Sequence, residues 1–581
     1  MEKDLVKGRI LEHLEALYGK DTALVTWERL QDILGSYQDI QKGPSPLETL
    51  GKLDALLITY ADQFQVPEQP HFTSLSNFFG KHLKDQIPTV HLLPFFPYSS
   101  DDGFSVINYK EVNPEMGSWD NLQDLRGCCN LMFDAVINHI SRESNWFQKY
   151  LQNLEPYNNY FIEVDPGADL SQVTRPRTRP LLTAVETREG QTLVWTTFSP
   201  DQIDLNYANP DVLLEILDVL LFYVQSGARI IRLDAIAFLW KEIGTSCIHL
   251  PQTHHVIKLI RAVLDLAAPD VILITETNVP HEENISYFGQ QLDGRNKKFP
   301  LGDEAQMVYQ FPLAPLILHT FRTGDAAALT SWAAALEAPY RTATFLNFIA
   351  SHDGIGVRPA EGLLTSEEIQ GLVDQTLANG GQVSYKTNLD GSQSVYELNI
   401  TLFDMLNEPD ATSLEIAVKR FMASQAIMLS LAGVPGIYIH SLFGAPNSQR
   451  EVEKTGRARS INREKFQVSD LEKELANPSS RTSRVFTSYI RYLSIRKEHP
   501  AFNSLAPQQV LDFGSQVFAL LREAEDQRDK VLCLINITDT RADLKIDPAL
   551  LDSSTWKDLV RDQVVQPGEV SLDPYQVMWL I

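Results

Sequence analysis

Short, uninterrupted apolar runs punctuate most of the chain: Ala55-Leu-Leu-Ile-Thr-Tyr60, Val90-His-Leu-Leu-Pro-Phe95, Leu131-Met-Phe-Asp-Ala-Val-Ile137, Arg229-Ile-Ile-Arg-Leu233, Val271-Ile-Leu-Ile-Thr275, Thr344-Phe-Leu-Asn-Phe348 and Gly436-Ile-Tyr-Ile439. A run with no polar alternation predicts a strand buried on both faces. Between the runs lie stretches with helical periodicity, such as Val212-Leu-Leu-Glu-Ile-Leu-Asp-Val-Leu-Leu-Phe-Tyr-Val224 and His255-Val-Ile-Lys-Leu-Ile-Arg-Ala-Val-Leu264. Strands alternating with helices imply a parallel sheet. About eight such units over roughly 450 residues suit a closed (β/α)8 barrel better than an open doubly wound sheet, and no glycine-rich dinucleotide fingerprint follows any strand.

The pattern changes at both ends of this region. Residues 1–53 read as amphipathic helix, an N-terminal extension packed outside a barrel spanning 54–504. From 505 to 581 short alternating strands take over, for example Lys530-Val-Leu-Cys-Leu-Ile-Asn-Ile537, and predict a small C-terminal antiparallel β domain. Two gaps near 140–205 and 358–415, rich in Pro, Gly, Thr and Asn, predict inserted loop subdomains over one face of the barrel.

Composition narrows the function classes. Hydrophobic residues at 44% and charged residues at 22% are those of a soluble globular protein, and no apolar run is long enough to span a bilayer. The first twenty residues lack the apolar core of a secretory signal, so a cytoplasmic location is expected. The net charge of −25 opposes nucleic acid and anionic membranes as partners, and obliges any anionic substrate to find a locally basic pocket. The four cysteines, Cys128, Cys129, Cys247 and Cys533, have no metal-ligand spacing and read as reduced thiols. Oligomeric state is not legible at this level.

Polar residues cluster where several predicted strands end: Asp134 and His139, Arg232 and Asp234, Glu276, then His352 and Asp353. In a barrel these ends face the catalytic mouth. Any one of them could be a buried structural ion pair; their joint placement weakens that alternative. Several carboxylates at one mouth suit glycoside chemistry, in which one attacks the anomeric carbon and another protonates the leaving oxygen. Arg232 stands two residues before Asp234 on a strand, projects to the same side and keeps that carboxylate ionised. Glu276 must start protonated and is expected in a less polar surround. Neither redox chemistry nor an electron sink is required, so no cofactor and no metal are expected.

On the strings Asp134-Ala-Val-Ile-Asn-His139, Gly227-Ala-Arg-Ile-Ile-Arg-Leu-Asp234, Ile274-Thr-Glu276 and Phe348-Ile-Ala-Ser-His-Asp353, the chain resembles the α-amylase superfamily, glycoside hydrolase family 13. The resemblance implies Asp234 as nucleophile, Glu276 as acid/base, Asp353 as transition-state stabiliser, and His139, Arg232 and His352 as ligands of the bound sugar. Within that superfamily, Ser100-Asp-Asp-Gly-Phe104, Lys241-Glu-Ile-Gly-Thr-Ser-Cys247, His352-Asp-Gly-Ile-Gly356 and Arg459-Ser-Ile-Asn-Arg463 are similar to the sucrose phosphorylase group. By position Asp101 and Arg459 would grip the far hydroxyls of glucose, and Phe104 would offer its ring a stacking face.

The stretch Ser171-Gln-Val-Thr-Arg-Pro-Arg-Thr-Arg-Pro180 carries three arginines and no acid, and composition alone would leave it an exposed basic loop. The resemblance makes Arg177 the phosphate-binding arginine and Tyr396 its partner on an opposing loop, with glucoside and inorganic phosphate as the small-molecule substrates. The acceptor side departs from the sucrose enzymes: Phe238 stands for a tyrosine, Asn278 for a histidine, Glu397 for a glutamine and Ser394 for an aspartate. Together with Thr275-Glu-Thr-Asn-Val-Pro-His281, Phe238-Leu-Trp-Lys-Glu242 and Trp195-Thr-Thr-Phe-Ser-Pro-Asp-Gln-Ile-Asp-Leu-Asn206, which places Phe198 beside the substrate, these residues look most like the glucosylglycerate phosphorylase branch. Glycerate carries a carboxylate, so Arg175, Arg177, Arg179 and Lys241 are expected to serve an anionic acceptor. The alternatives are a sucrose phosphorylase, an α-glucosidase or transglucosidase, and a catalytically inactive sugar-binding homologue.

Overall fold

The computed structural model describes residues 2–41, 43–292, 302–388, 390–408, 412–551, 553 and 555–581. Eight strands close into a barrel: β1 (Leu56–Thr59), β2 (Thr89–Leu92), β3 (Asn130–Ala135), β4 (Ala228–Leu233), β5 (Ile272–Thr275), β6 (Met307–Tyr309), β7 (Thr344–Phe348) and β8 (Val434–Tyr438). Every neighbouring pair is parallel, and β8 returns to β1. Seven of these strands are the apolar runs visible in the sequence. The sixth is new, because a three-residue strand flanked by Gln306 and Gln310 leaves no apolar run to recognise.

Most of the strands are short and buried from end to end, and the loops that follow them carry polar groups. Helix Pro210–Gln225 shows why the intervening helices form: Asn209 caps the first turn by accepting from the Asp211 N–H (2.9 Å), Pro210 is tolerated at the first position, and Val212, Ile216, Val219 and Tyr223 are buried. At the N-terminus α1 (Glu2–Tyr18) and α2 (Lys20–Ser36) lie outside the barrel, with Arg9 paired to Asp265 of helix Pro251–Ala267 at 2.8 Å.

Two insertions rise from the barrel mouth. The first, after β3, holds the strand pair His139–Ser141 and Gln202–Asp204 and the hairpin Leu182–Thr187 with Gly190–Trp195. The second, after β7, holds Ile355–Gly356 against the hairpin Gln382–Thr387 with Gln393–Asn399. Among the described residues no helix is long and apolar enough to cross a membrane.

The C-terminal strands form a six-stranded antiparallel sheet and a facing strand pair. Period-two alternation divides their side chains: Phe518, Leu520, Val531, Cys533, Ile535 and Trp579 join the barrel core, whereas Val517, Ala519, Leu521, Leu532, Leu534 and Leu580 fill a second core of their own. The seam carries two buried arginines. Helix Leu414–Ser430 ends there with unpaired carbonyls, and Arg496 donates to Leu429 O while Arg522 donates to Ser430 O (2.9 Å). Arg522 also donates to the carbonyls of Asn503 (2.8 Å), Ala506 (3.1 Å) and Pro507 (3.2 Å), and no carboxylate pairs with it among the described residues. Burial and the neighbouring Arg496 lower its pKa to about 9, which still leaves it charged at neutral pH. Arg522→Met is expected to strand these carbonyls and to lower stability by roughly 3 kcal/mol, read as a lower urea midpoint in tryptophan fluorescence. An unchanged midpoint would show that the seam does not depend on this guanidinium.

Candidate active site

Sheet register assembles the catalytic group. Arg232 on β4 stands level with Asp134 on β3 and Ile274 on β5, so one guanidinium lies between two strands that deliver carboxylates. Beyond the strand ends the backbone stays tied: the Asp234 N–H donates to Ala135 O and the Glu276 N–H to Leu233 O, each at 3.1 Å. Arg232 is buried, pairs with Asp134, donates from Nη1 to Asp234 Oδ1 at 2.8 Å, and places Nη2 3.7 Å from Glu276 Oε2. Asp134 is held on its other oxygen by His91 Nε2 at 2.8 Å.

Immediately after Asp234 the chain turns left-handed at Ala235 (φ 48°, ψ 33°), which is unusual for a residue with a Cβ. The turn aims the Ala235 N–H at Glu276 Oε2 (2.9 Å), so the strained peptide joins the two carboxylates. Asp353, from the loop after β7, pairs with Arg459 and lies 3.5 Å from His352 Nε2.

These carboxylates do not share one protonation behaviour. Burial pushes both Asp234 and Glu276 up, to about 6 and about 7, and Arg232 pulls against the rise in each. Asp234 receives the direct guanidinium hydrogen bond, so Glu276 is the group that holds the proton near neutral pH. Burial also acts on Asp353, but Arg459, His352 and Arg463 outweigh it and hold that carboxyl well below the usual range. Burial lowers His352 to about 3, leaving a neutral imidazole whose buried Nδ1 has no partner.

The carboxylates line a tight inner chamber together with Asp101, Phe104, His139, Arg177, Phe198, Asn278, His352, Tyr396, Glu397 and Arg459. One face of Phe104 is stacked on His352, with centroids 4.9 Å apart and rings 1° from parallel. His139 is fixed by the Phe104 carbonyl at 2.9 Å. The two insertions meet over this chamber: Arg177, from the first, lies 5.2 Å above the Tyr396 ring of the second. Phe238 lies outside, in a wider chamber that Phe198, Glu276, Asn278, Tyr396 and Arg175 also border. Gly356 lets Asn278 fit there, since a Cβ at 356 would lie 2.7 Å from Asn278 Nδ2.

Several expected positions fall elsewhere. Lys241 lines neither chamber: it is buried, 2.6 Å from Asp204 Oδ2, and donates to Asn138 Oδ1 at 2.8 Å, so its charge is consumed in pinning the first insertion. Glu397 faces the inner chamber, not the acceptor side, because Arg459 grips it through Nε (3.0 Å) and Nη2 (2.5 Å). Ser394 points away and donates to Asn388 Oδ1 at 3.0 Å. Of the three loop arginines, Arg177 lines the inner chamber, Arg175 the outer one, and Arg179 is exposed. Among the described residues no three His, Cys, Asp or Glu side chains are grouped to hold a metal. Residues not foreseen from the sequence are Arg358 and Lys386, both on the outer chamber; no strand end or arginine-rich run marked them.

A parallel barrel with an arginine-bridged carboxylate group at its mouth defines an enzyme class that works on glycosidic bonds. The family model for the α-amylase catalytic domain matches residues 82–355, and that for the C-terminal immunoglobulin-like domain of D-apionate lactonase matches residues 514–580. The chain is 48% identical over 580 residues to the glucosylglycerate phosphorylase of Allomeiothermus silvanus, covering 99% of each. It is 31% identical to the sucrose phosphorylase of Agrobacterium vitis, over 80% of this chain and 91% of that one. The solved sucrose 6F-phosphate phosphorylase from Thermoanaerobacter thermosaccharolyticum shares the fold, with a TM-score of 0.71 and 24% identity, over 84% of this chain and 94% of that one. The chain belongs to the α-amylase family, within its group of glycoside phosphorylases.

Opposite protonation demands on Asp234 and Glu276 predict a bell-shaped pH profile for kcat/KM. Activity falls on the acid side as Asp234 takes a proton, near about 6, and on the alkaline side as Glu276 loses its own, near about 7. Glu276→Gln is expected to abolish the alkaline limb and to lower kcat/KM for an alkyl glucoside roughly 10²- to 10⁴-fold. It should spare α-glucosyl fluoride, whose leaving group needs no proton. Equal losses on both substrates would remove Glu276 from the acid role.

Proposed function

We propose that this protein is a retaining glycoside phosphorylase that reversibly converts 2-O-α-glucosylglycerate and phosphate into α-glucose 1-phosphate and glycerate. In the first step an oxygen of Asp234 bonds to the anomeric carbon as the glycosidic C–O bond breaks, and the leaving glycerate oxygen takes the proton of Glu276. Arg232 neutralises the attacking carboxylate, and Asp353, kept ionised by Arg459, faces the cationic transition state. In the second step a phosphate oxygen bonds to the anomeric carbon, its proton passes to Glu276, and the bond to Asp234 breaks. Two inversions keep the α configuration.

The observation that carries the choice of phosphate over water is Arg177, placed on the inner chamber over Tyr396 in a chain of net charge −25. Its planar fork can hold a phosphate beside Glu276 through two parallel hydrogen bonds. The roles of Asp101, His139 and His352 as glucose ligands follow from their place on the same chamber. Glycerate as acceptor is supported by the near-complete match to a relative that carries the glucosylglycerate name.

Incubating the purified protein with glucosylglycerate or sucrose, with and without phosphate, separates the choices by product. Glucose 1-phosphate formed from glucosylglycerate alone is expected; free glucose, or preferential turnover of sucrose, would overturn the assignment. Arg177→Ala should cut phosphorolysis at least tenfold more than hydrolysis, and equal loss of both would end its phosphate role.

A further inference from the structure

The outer chamber, about 610 Å3, meets the inner one at Glu276, Asn278, Phe198, Ala235 and Tyr396. Two cations on it have no part in the chemistry above: Arg358, from the turn after Ile355–Gly356, and Lys386, on strand Gln382–Thr387. Both side chains are largely covered, at 23% and 19% exposure, yet among the described residues neither is paired at hydrogen-bond distance. The carboxylate beside Arg358 is Glu283, 3.6 Å away, and that beside Lys386 is Glu361, 3.9 Å away. Glu283 and Glu361 are 42% and 54% exposed, so water screens both attractions. Asp390 also borders the chamber, but its Oδ1 accepts from the Ser392 N–H (2.9 Å) and hydroxyl (2.6 Å) and is engaged by its own turn. Burial and the nearby Arg358 both lower the Lys386 pKa, as expected for two like charges held together in a half-dry pocket. Such a pair is stabilised by an anion that bridges it.

The position of the pair indicates which anion. Phosphate attacks the face of the anomeric carbon that the leaving oxygen vacates, so the two share one position beside Glu276, and the arginine lining the inner chamber there is Arg177. Arg358 and Lys386 line the outer chamber and not the inner one. A glyceryl group leaving from the oxygen that Glu276 protonates extends into that chamber, with its carboxylate two bonds from the oxygen. We propose that Arg358 and Lys386 form the subsite for the acceptor carboxylate and so select glycerate over uncharged polyols of the same size. The subsite rests on the glucosylglycerate reading and replaces Lys241 in the role the sequence had suggested for it.

The test runs the reaction in the synthetic direction, from α-glucose 1-phosphate, with glycerate or glycerol as acceptor. Arg358→Gln and Lys386→Met are each expected to lower the ratio of kcat/KM for glycerate over glycerol at least tenfold, and Arg358→Lys to recover part of it. In phosphorolysis the same variants should raise KM for glucosylglycerate more than KM for phosphate. A ratio unchanged in both variants overturns the subsite, and so does an equal rise in both KM values, which would make the pair a phosphate site. Wild-type protein that ignores glycerate defeats the functional reading and the subsite with it; wild-type selectivity that survives both substitutions defeats the subsite alone.

Discussion

Arg232 is the residue on which the site depends. Its guanidinium is buried and reaches Asp134, Asp234 and Glu276, carboxylates delivered by three adjacent strands. Without that charge, several buried acids would face one another in a medium where each isolated charge is costly, and they would titrate upward together. With it, one carboxylate takes the direct hydrogen bond and ionises, and the other, merely nearby, keeps its proton. The difference in protonation between Asp234 and Glu276 is therefore a matter of 2.8 Å against 3.7 Å from one guanidinium.

A second arginine, Arg459, does the equivalent work on the opposite wall, holding Asp353 and Glu397. Glu397 also lies 3.9 Å from Arg177, so the lid arginine is linked to the sugar side of the chamber through a carboxylate that the sequence had suggested for the acceptor. The two insertions share no strand, and Arg177 joins them over the Tyr396 ring and beside Glu397.

Charge is distributed with the same economy. Within a chain of net charge −25, cations are concentrated at the mouth in layers, with Arg177 inside and Arg175, Arg358 and Lys386 outside. Lys241 shows that a cation near the site in sequence is not thereby a cation in the site. Its ammonium holds Asp204 and Asn138, and thereby fixes the strand pair that carries His139.

The barrel and the carboxylates grouped at its mouth were legible from the chain alone because both rest on local patterns. Apolar runs report strands buried on two faces, and the polar residue closing such a run must lie at the barrel mouth; Arg232 and Asp234, on one strand, could even be placed on the same side. The three-residue β6 escaped because its strand is too short to show a pattern. Which chamber each side chain reaches was decided by tertiary structure. Glu397 and Lys241 took partners tens of residues away and Ser394 one across a hairpin, and Arg358 and Lys386 reached one chamber from a turn and a hairpin strand with no signature. Sequence determined which polar groups meet at the barrel mouth, because barrel topology carries strand-end residues to one place. The folded chain decided what surrounds the leaving group, because loop side chains settle wherever long-range charge pairing and burial leave them.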